Sequence, residues 1–193
     1  MNKYVYHCSN QSNLKILKPN ISTHAKNWLY ATKDPIMSAV FLGTKGGDFT
    51  CAVGRDSRTT IPYICERFEG AFNLRYEGIT GSIYTLPGEK FHVNHTTWNE
   101  EVVCNRAVIP LKETKIKNAK NYLLNLEKNN ELIIKFYPEK IDGIPHNDKD
   151  LVERAVIWTK KFGNQILDEI KKYHPHLLEK ILNELNNKEK HEL

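Results

Sequence analysis

Three short segments of the sequence contain side chains suited to holding a nucleotide. Residues 6–9 (YHCS) offer an imidazole, residues 29–32 (LYAT) offer a phenol, and residues 101–104 (EVVC) begin with a carboxylate. An imidazole and a phenol at the ends of β-type runs can hydrogen-bond a sugar hydroxyl and stack on a flat ring. The sequence therefore predicts a nucleotide pocket assembled from three separated segments.

In this order, the three segments resemble the motifs of the ADP-ribosyltransferase superfamily, and in particular its H-Y-E branch, which includes the poly-ADP-ribose polymerases and the diphtheria-type toxins. The resemblance ends near residue 110. It implies an α+β fold with a compact split antiparallel β-sheet and flanking helices. It also implies a glycosyltransferase that uses NAD as co-substrate and moves ADP-ribose to an acceptor, which is a protein, a nucleic acid or a small molecule.

The resemblance assigns a role to individual residues. It makes Glu101 the catalytic residue, and it gives nucleotide contacts to His7, Cys8, Ser9, Tyr30 and Ser38. His7 would bond a ribose hydroxyl, Tyr30 would stack on the nicotinamide ring, and Ser9 would bond the carboxamide. Cys8 stands where most members have Gly, so it adds a Cβ where the backbone approaches the nicotinamide. On this basis, Cys8→Gly is predicted to tighten NAD binding or to raise turnover.

The chemistry implied for the carboxylate follows from charge. Cleavage of the nicotinamide–ribose bond of NAD develops positive charge on the ribose ring. A carboxylate beside the ribose 2′-OH stabilises this charge more in the transition state than in the ground state. Side chains alternate along a strand, so Glu100 is expected to point away from the side that Glu101 occupies.

Two other hypotheses remain open at this point. One is a catalytically inactive module of the same fold that binds NAD or ADP-ribose. The other is an interaction protein whose C-terminal helices dock a partner. Each site residue also has a simple structural interpretation: His7 as a core histidine, Tyr30 as a core aromatic and Glu101 as a surface charge.

Short alternating runs separated by Gly, Pro and Asn predict an antiparallel sheet in the first part of the chain. The predicted strands are 4–7, 49–54, 61–67, 81–86 and 102–111. One helix is predicted to start at Asp34 and Pro35 and to stop near Gly43, because Asp caps helices and Pro suits the first helical position.

The hydrophobic period changes to that of a helix from Lys112 onward. After a β-like run at 131–137, a second helix is predicted from the Asn147/Asp148 cap to Gly163, and a last helix follows Pro175. We therefore divide the chain into an α/β core, residues 1–111, and a mainly helical extension packed on it, residues 112–193.

Composition limits the class of protein. With 193 residues the chain fits one domain, and its four cysteines show no C-x-x-C spacing, so reduced thiols and no metal site are expected. No apolar run is long enough to span a membrane, and no signal-like segment precedes the first strand, which predicts a cytoplasmic protein without a membrane partner. The charge of +5 suits an anionic ligand such as NAD. Composition leaves the oligomeric state open.

Overall fold

The computed structural model of the chain describes residues 2–21, 26–43 and 45–191. The strands are β1 (Tyr4–Ser9), β2 (Asn20–Ile21), β3 (Asn27–Thr32), β4 (Cys51–Arg55), β5 (Pro62–Glu66), β6 (Gly81–Pro87), β7 (Glu101–Cys104), β8 (Lys112–Ile116) and β9 (Ile133–Lys135). The helices are α1 (Pro35–Ala39), α2 (Ala71–Tyr76), α3 (Ala119–Lys128), α4 (Lys149–Phe162), α5 (Gln165–Tyr173) and α6 (Leu178–His191).

The strands form two sheets within the described residues. The six-stranded sheet has the order β2-β3-β1-β6-β8, and β7 also pairs with β3. All of its pairings are antiparallel. The second sheet has the order β4-β5-β9, with β5 and β9 parallel. The predicted α+β architecture, an antiparallel sheet with helices, is confirmed.

Alternation along the strands gives the six-stranded sheet two different faces. We call one the loop-covered face, because its apolar residues pack with residues of loops. Its buried cluster consists of Val5, Leu17, Leu29, Ala31, Tyr84, Leu86, Phe91, Val102, Cys104 and Val108. We call the other the helix-covered face, because Tyr6, Cys8 and Ile83 pack there with residues of α1 such as Met37.

Helix α1 forms for the reasons that the sequence indicates. The Asp34 side chain accepts a hydrogen bond from the Ile36 backbone N–H at 2.8 Å, and Pro35 occupies the first helical position. Met37, Ser38 and Ala39 are buried against the sheet. The predicted start of this helix is confirmed, whereas its regular part ends earlier than Gly43.

The region after residue 111 differs from the prediction. Lys112–Ile116 is strand β8, which pairs with Gly81–Thr85 of β6, and the helix begins only at Ala119 behind an Asn118 cap. Ile116, the last residue of β8, and Ala119, the first residue of α3, belong to the same buried apolar cluster. Their spacing of three residues fits a helix, which explains why the sequence predicts a helix that includes Ile116. β9 then joins the second sheet, so the two sheets extend to residue 135 and the mainly helical part of the chain starts at α4.

Two further elements depart from the sequence reading. Helix α2 was not predicted, and its N-cap, Gly70, adopts φ 80°, a left-handed conformation that glycine tolerates. The long strand predicted over residues 102–111 ends at Cys104. Val108 lies outside β7; it is buried and forms an isolated β-bridge with Leu17 at the loop-covered face.

The apolar stripes of the C-terminal helices are used internally. One buried cluster contains Leu151 and Ala155 of α4, Ile170 of α5 and Ile181 of α6. Phe49, which lies just before β4 of the second sheet, belongs to the same cluster. The apolar residues of these helices are therefore part of a core. No helix within the described residues is both long and apolar enough to cross a membrane.

An ion cluster joins α4 to the second sheet. Arg67, whose side chain is 0% exposed, directly follows β5 and donates to both carboxylate oxygens of Asp150 at 2.6 and 2.9 Å. It also donates to Asp148 at 2.9 Å, and Lys140 lies 3.3 Å from the same carboxylate. A buried guanidinium depends on its partners, because an unpaired charge in the interior is costly.

Asp150→Asn should lower the free energy of unfolding by about 1–3 kcal/mol, because the buried Arg67 loses part of its compensating charge. Urea unfolding of the variant measures this loss. Glu153→Gln on the same helix is the control: that carboxylate is exposed and its pair with Lys149 spans 3.6 Å. Its effect should stay below about 0.5 kcal/mol. Equal effects of the two variants would show that the Arg67 cluster does not anchor α4.

Candidate functional site

The three strands that carry the predicted site residues are neighbours in the sheet. Thr32 of β3 pairs with Tyr6 of β1 and also with Glu101 of β7. The Thr32 hydroxyl donates to the Asp34 carbonyl at 2.8 Å, which fixes the turn into α1. β3 therefore joins the strand of His7 to the strand of Glu101 through one residue.

Beyond Thr32, β1 and β3 separate. Among the described residues they pair only at Tyr6 and Thr32. The backbone N–H and C=O of Val103 bond to His92, so the opposing Tyr30 is a non-hydrogen-bonded partner of Val103 and turns its own peptide groups toward β1. A gap between β1 and β3 is thus lined by the Tyr30 carbonyl.

The His7 ring bridges this gap. Its Nδ1 lies 2.7 Å from the Tyr30 carbonyl oxygen. A carbonyl only accepts, so Nδ1 carries the proton and Nε2 of the neutral ring is a hydrogen-bond acceptor. Burial lowers the pKa of His7 below 6.5 even though the bond to Tyr30 favours the charged form. At neutral pH the ring therefore presents an acceptor.

Tyr30 and Glu101 extend from the same face of the sheet. Thr32 and Glu101 are directly opposed, and Tyr30 lies two residues from Thr32 on the same strand. This makes Tyr30 and Glu101 diagonal neighbours, about 7–8 Å apart. Both are half-buried. Their face is the helix-covered one, since Tyr6 also pairs with Thr32.

His7 reaches the site differently from the expectation. His7 pairs with Tyr84, whose side chain is buried in the loop-covered face. Directly paired residues share a face, so the His7 side chain leaves the backbone on the face opposite to that of Tyr30. Its ring nevertheless lies between the strands, in contact with the Tyr30 backbone. His7 and Tyr30 therefore extend from opposite faces of the sheet, which differs from the predicted shared pocket, and the His7 ring contacts Tyr30 only at its backbone carbonyl.

Cys8 and Ser38 meet in the interior. The Cys8 side chain belongs to the helix-covered face and hydrogen-bonds Ser38, which is 2% exposed. Burial raises the pKa of the Cys8 thiol to about 12, so it stays protonated. The residue as a whole is only half-buried, and its thiol is the enclosed part. The Cβ of Cys8 therefore points beneath α1.

Ser9 lies at the end of β1. Its hydroxyl accepts a hydrogen bond from the Gln11 backbone N–H at 3.1 Å, which closes the turn after the strand. Ser9 pairs with Ser82 across β6, on the side of the sheet to which Tyr84 belongs. The predicted bond of Ser9 to a carboxamide stays a prediction, as do the nucleotide contacts of the other site residues.

An ion cluster beside Glu101 was missed by the sequence reading. Arg55 Nε and Nη2 donate to the two Glu100 carboxylate oxygens at 2.7 and 2.8 Å, and Nη2 also donates to Asp34 at 3.0 Å. Asp34 in turn caps α1. The cluster fixes the segment before β7 to the start of α1. No sequence signal links an arginine in β4 to these two carboxylates.

A second polar cluster anchors the loop after β1. One Glu113 oxygen accepts from the Ser82 hydroxyl at 2.6 Å and from the Asn13 backbone N–H at 2.8 Å. These hydrogen bonds hold the pKa of Glu113 below its usual range. The Tyr84 hydroxyl donates to the Gln11 carbonyl at 2.9 Å. The loop beside His7 is thus held by side chains of β6 and β8.

The described residues contain no group of three or more His, Cys, Asp or Glu side chains arranged to hold a metal ion. The polar groups near β3 are the His7 ring, which presents an acceptor, and the Glu101 carboxylate, and the Tyr30 ring adds an apolar surface on the face of Glu101.

The lowered pKa of His7 predicts a pH dependence of stability. The unfolded chain binds a proton at the ordinary value of 6.5, whereas the folded chain binds it only at lower pH. Stability should therefore be full above pH 6.5 and decrease as the pH falls through the folded value. His7→Gln should make this decrease smaller, as measured by urea unfolding at pH 7.5 and 5.0.

His174 contributes a decrease of the same sign, because burial also lowers its pKa, so the decrease should shrink in His7→Gln without vanishing. His146→Gln, at an exposed position, is the control for the substitution itself, and its free energy of unfolding at pH 7.5 should stay close to that of the parent protein. A profile in His7→Gln identical to that of the parent protein would contradict a neutral, buried His7.

The interior position of the Cys8 thiol changes the expectation for Cys8→Gly. Removing the side chain deletes packing under α1 and places Gly in a strand, so the free energy of unfolding should fall by about 1–3 kcal/mol. NAD affinity, measured by calorimetry, should stay unchanged. Cys8→Ala keeps the Cβ and should cost less stability. Tighter NAD binding by Cys8→Gly, at unchanged stability, would restore the sequence-based expectation.

No family model, no curated protein and no solved structure matches this chain.

Proposed function

We propose that the chain is an NAD-dependent ADP-ribosyltransferase, which transfers ADP-ribose from NAD to an acceptor and releases nicotinamide. The observation that carries this proposal is the adjacency of β1, β3 and β7, which Thr32 joins by pairing with Tyr6 of β1 and with Glu101 of β7. Segments that resemble three motifs of one superfamily lie on neighbouring strands, although they are far apart in the chain. The finer fold assignment, a split sheet of the ADP-ribosyltransferase type, belongs to the same proposal.

The gap between β1 and β3 supports a nucleotide site. His7 Nδ1 is committed to the Tyr30 carbonyl, which orients Nε2 as an acceptor for a ribose hydroxyl. The Tyr30 ring, half-buried on the same face as Glu101, would stack on nicotinamide. NAD supplies the bond that is cleaved and the ADP-ribose that is transferred.

Glu101 would supply the catalytic charge. It is the first residue of β7, it is half-buried, and it is directly opposed to Thr32. A carboxylate fixed at this position can face the ribose 2′-OH and stabilise positive charge as it develops on the sugar. Arg55 holds the preceding residue, Glu100, by two hydrogen bonds, and so restricts the backbone from which Glu101 extends.

One observation favours a second candidate. Cys8 and Ser38, both assigned nucleotide contacts by the resemblance, bond to each other beneath α1. A site with fewer contacts to its nucleotide would suit a protein that binds NAD or ADP-ribose without turnover. The hypothesis of a helical docking protein has less support, because the stripes of α4, α5 and α6 are buried together.

A cytoplasmic location is part of the proposal. The four cysteines, Cys8, Cys51, Cys65 and Cys104, are all free thiols. Unpaired buried thiols suit a reducing compartment, where NAD is also available to an enzyme.

Glu101→Gln tests the transferase. The amide keeps the size of the side chain but removes its charge, so the rate of nicotinamide release should fall about 100-fold, the loss typical of one deleted electrostatic stabiliser. NAD affinity by calorimetry should change little, because the charge acts in the transition state. Release that continues at the parental rate would exclude Glu101 as the catalytic carboxylate.

Glu100→Gln is the matched control on the neighbouring residue. It should lower the free energy of unfolding by about 1 kcal/mol through the lost pair with Arg55, with a much smaller effect on nicotinamide release than Glu101→Gln. A larger kinetic effect at Glu100 would place the catalytic position one residue earlier. NAD binding by the parent protein without any nicotinamide release would favour the second candidate.

A further inference from the structure

A cavity lies on the face of the sheet that Tyr30 and Glu101 share. It has a volume of about 220 Å³ and is lined by Trp28, His92, His95, Val103 and Asn105. We call it the ring pocket. Typical pockets for drug-sized ligands measure roughly 300–1,000 Å³. The ring pocket is therefore of a size for a single flat ring system.

Aromatic rings form a continuous series from the nucleotide site into this pocket. The Tyr30 ring meets the Trp28 ring at 6.1 Å, Trp28 meets His95 at 5.9 Å, and His95 meets His92 at 5.7 Å. All three contacts are edge-on. Val103, which is buried, forms an apolar part of the wall.

The polar groups of the ring pocket identify the chemistry of its ligand. The Asn105 amide offers donors and an acceptor, and each imidazole offers one or both. Among the described residues that line it there is no Lys, Arg, Asp or Glu. The lining therefore suits a neutral ring with hydrogen-bonding edges, and it does not suit a phosphate or an ammonium group.

The ring pocket opens next to the catalytic position. Val103 lies two residues after Glu101 on the same strand, and Trp28 lies two residues before Tyr30 on the opposing strand. Residues two apart on a strand share a face and are separated by about 7 Å. A ring over Val103 would therefore lie one residue pair away from the Glu101 carboxylate.

We propose that the ring pocket binds the acceptor of the transferred ADP-ribose, and that this acceptor is a nucleobase, in a free nucleoside or in single-stranded nucleic acid. Aromatic side chains stack on bases in single strands, and an asparagine amide bonds base edges in two places at once. The proposal rests on the transferase function proposed above and names its acceptor class.

The transfer step balances with a base that carries an N–H group. The lone pair of that nitrogen forms a bond to ribose C1′, while the C1′–N bond to nicotinamide breaks and its electron pair returns to the nicotinamide ring. The N–H proton passes to the Glu101 carboxylate and then to water. The products are an ADP-ribosylated base, neutral nicotinamide and one proton.

Binding is tested first, without NAD. The probes are adenosine, guanosine, cytidine, thymidine and the single-stranded oligonucleotide (dT)8, with tyrosine amide as a probe for a protein acceptor. The readout is the indole N–H resonance of Trp28, which is assigned among the three tryptophans with Trp28→Phe. We expect at least one nucleoside or (dT)8 to shift this resonance and to leave that of Trp158 in place.

Asn105→Ala then tests the pocket itself, because Asn105 is exposed and its replacement leaves the core intact. The dissociation constant of the base that binds should rise at least about tenfold, the effect of removing a two-point contact to a base edge. Asn125→Ala, an exposed asparagine on α3, is the matched control and should have no effect.

Turnover with NAD separates this proposal from the proposed function. With the parent protein, the probe that binds should become ADP-ribosylated. Asn105→Ala should reduce this transfer at least about tenfold, in line with the weaker base contact, while nicotinamide release to water continues. Transfer of ADP-ribose to the oligonucleotide alone would identify single-stranded nucleic acid as the acceptor. Equal transfer to a nucleoside would identify a free nucleoside.

Two results would overturn the inference. In the first, nicotinamide is released to water but no nucleobase probe shifts the Trp28 resonance, which would support the transferase and exclude a nucleobase acceptor. If tyrosine amide alone shifted that resonance, the acceptor would be a protein. Nucleobase binding with no nicotinamide release in any condition would instead remove the transferase, and the ring pocket would remain a base-binding site without a role in transfer.

Discussion

The double pairing of Thr32 is the constraint on which the site depends. One residue of β3 holds β1 through Tyr6 and β7 through Glu101, and its hydroxyl fixes the turn that leads to α1. Beyond it the strands separate, and the His7 ring replaces the missing backbone pairing. A change that shifted the register at Thr32 by one residue would move Glu101 to the other face of the sheet, because side chains alternate.

The local signals that the sequence contains were sufficient for some elements. Asp34 and Pro35 predicted the start of α1, since a cap and a pre-set φ act within a single turn. The motif resemblance predicted a strand at Glu101 that lies close to Tyr30. Helical spacing misassigned Lys112–Ile116, because the open edge of β6 selects a strand there and only the tertiary structure supplies that partner.

The parts of the site that could not be predicted are those that depend on distant charges and on strand geometry. Arg55 reaches Glu100 and Asp34 only after β4 has paired with β5, and the sequence gives no sign of this cluster. The separation of β1 from β3 is equally invisible in residue types. The inward bond between Cys8 and Ser38 shows the same limit, since the motif resemblance placed both residues toward a ligand.

The pairing of β1 also sets the order in which the site can form during synthesis. His7 is opposed to Tyr84, so β1 lacks its long partner until β6 has left the ribosome. At roughly 5–20 residues per second this delay is on the order of 4–15 s, which is long compared with local folding. During that interval β1 is an unpaired strand edge, open to association with other nascent chains. The strand that carries His7 is thus also a segment that a chaperone could protect while the rest of the sheet is being synthesised.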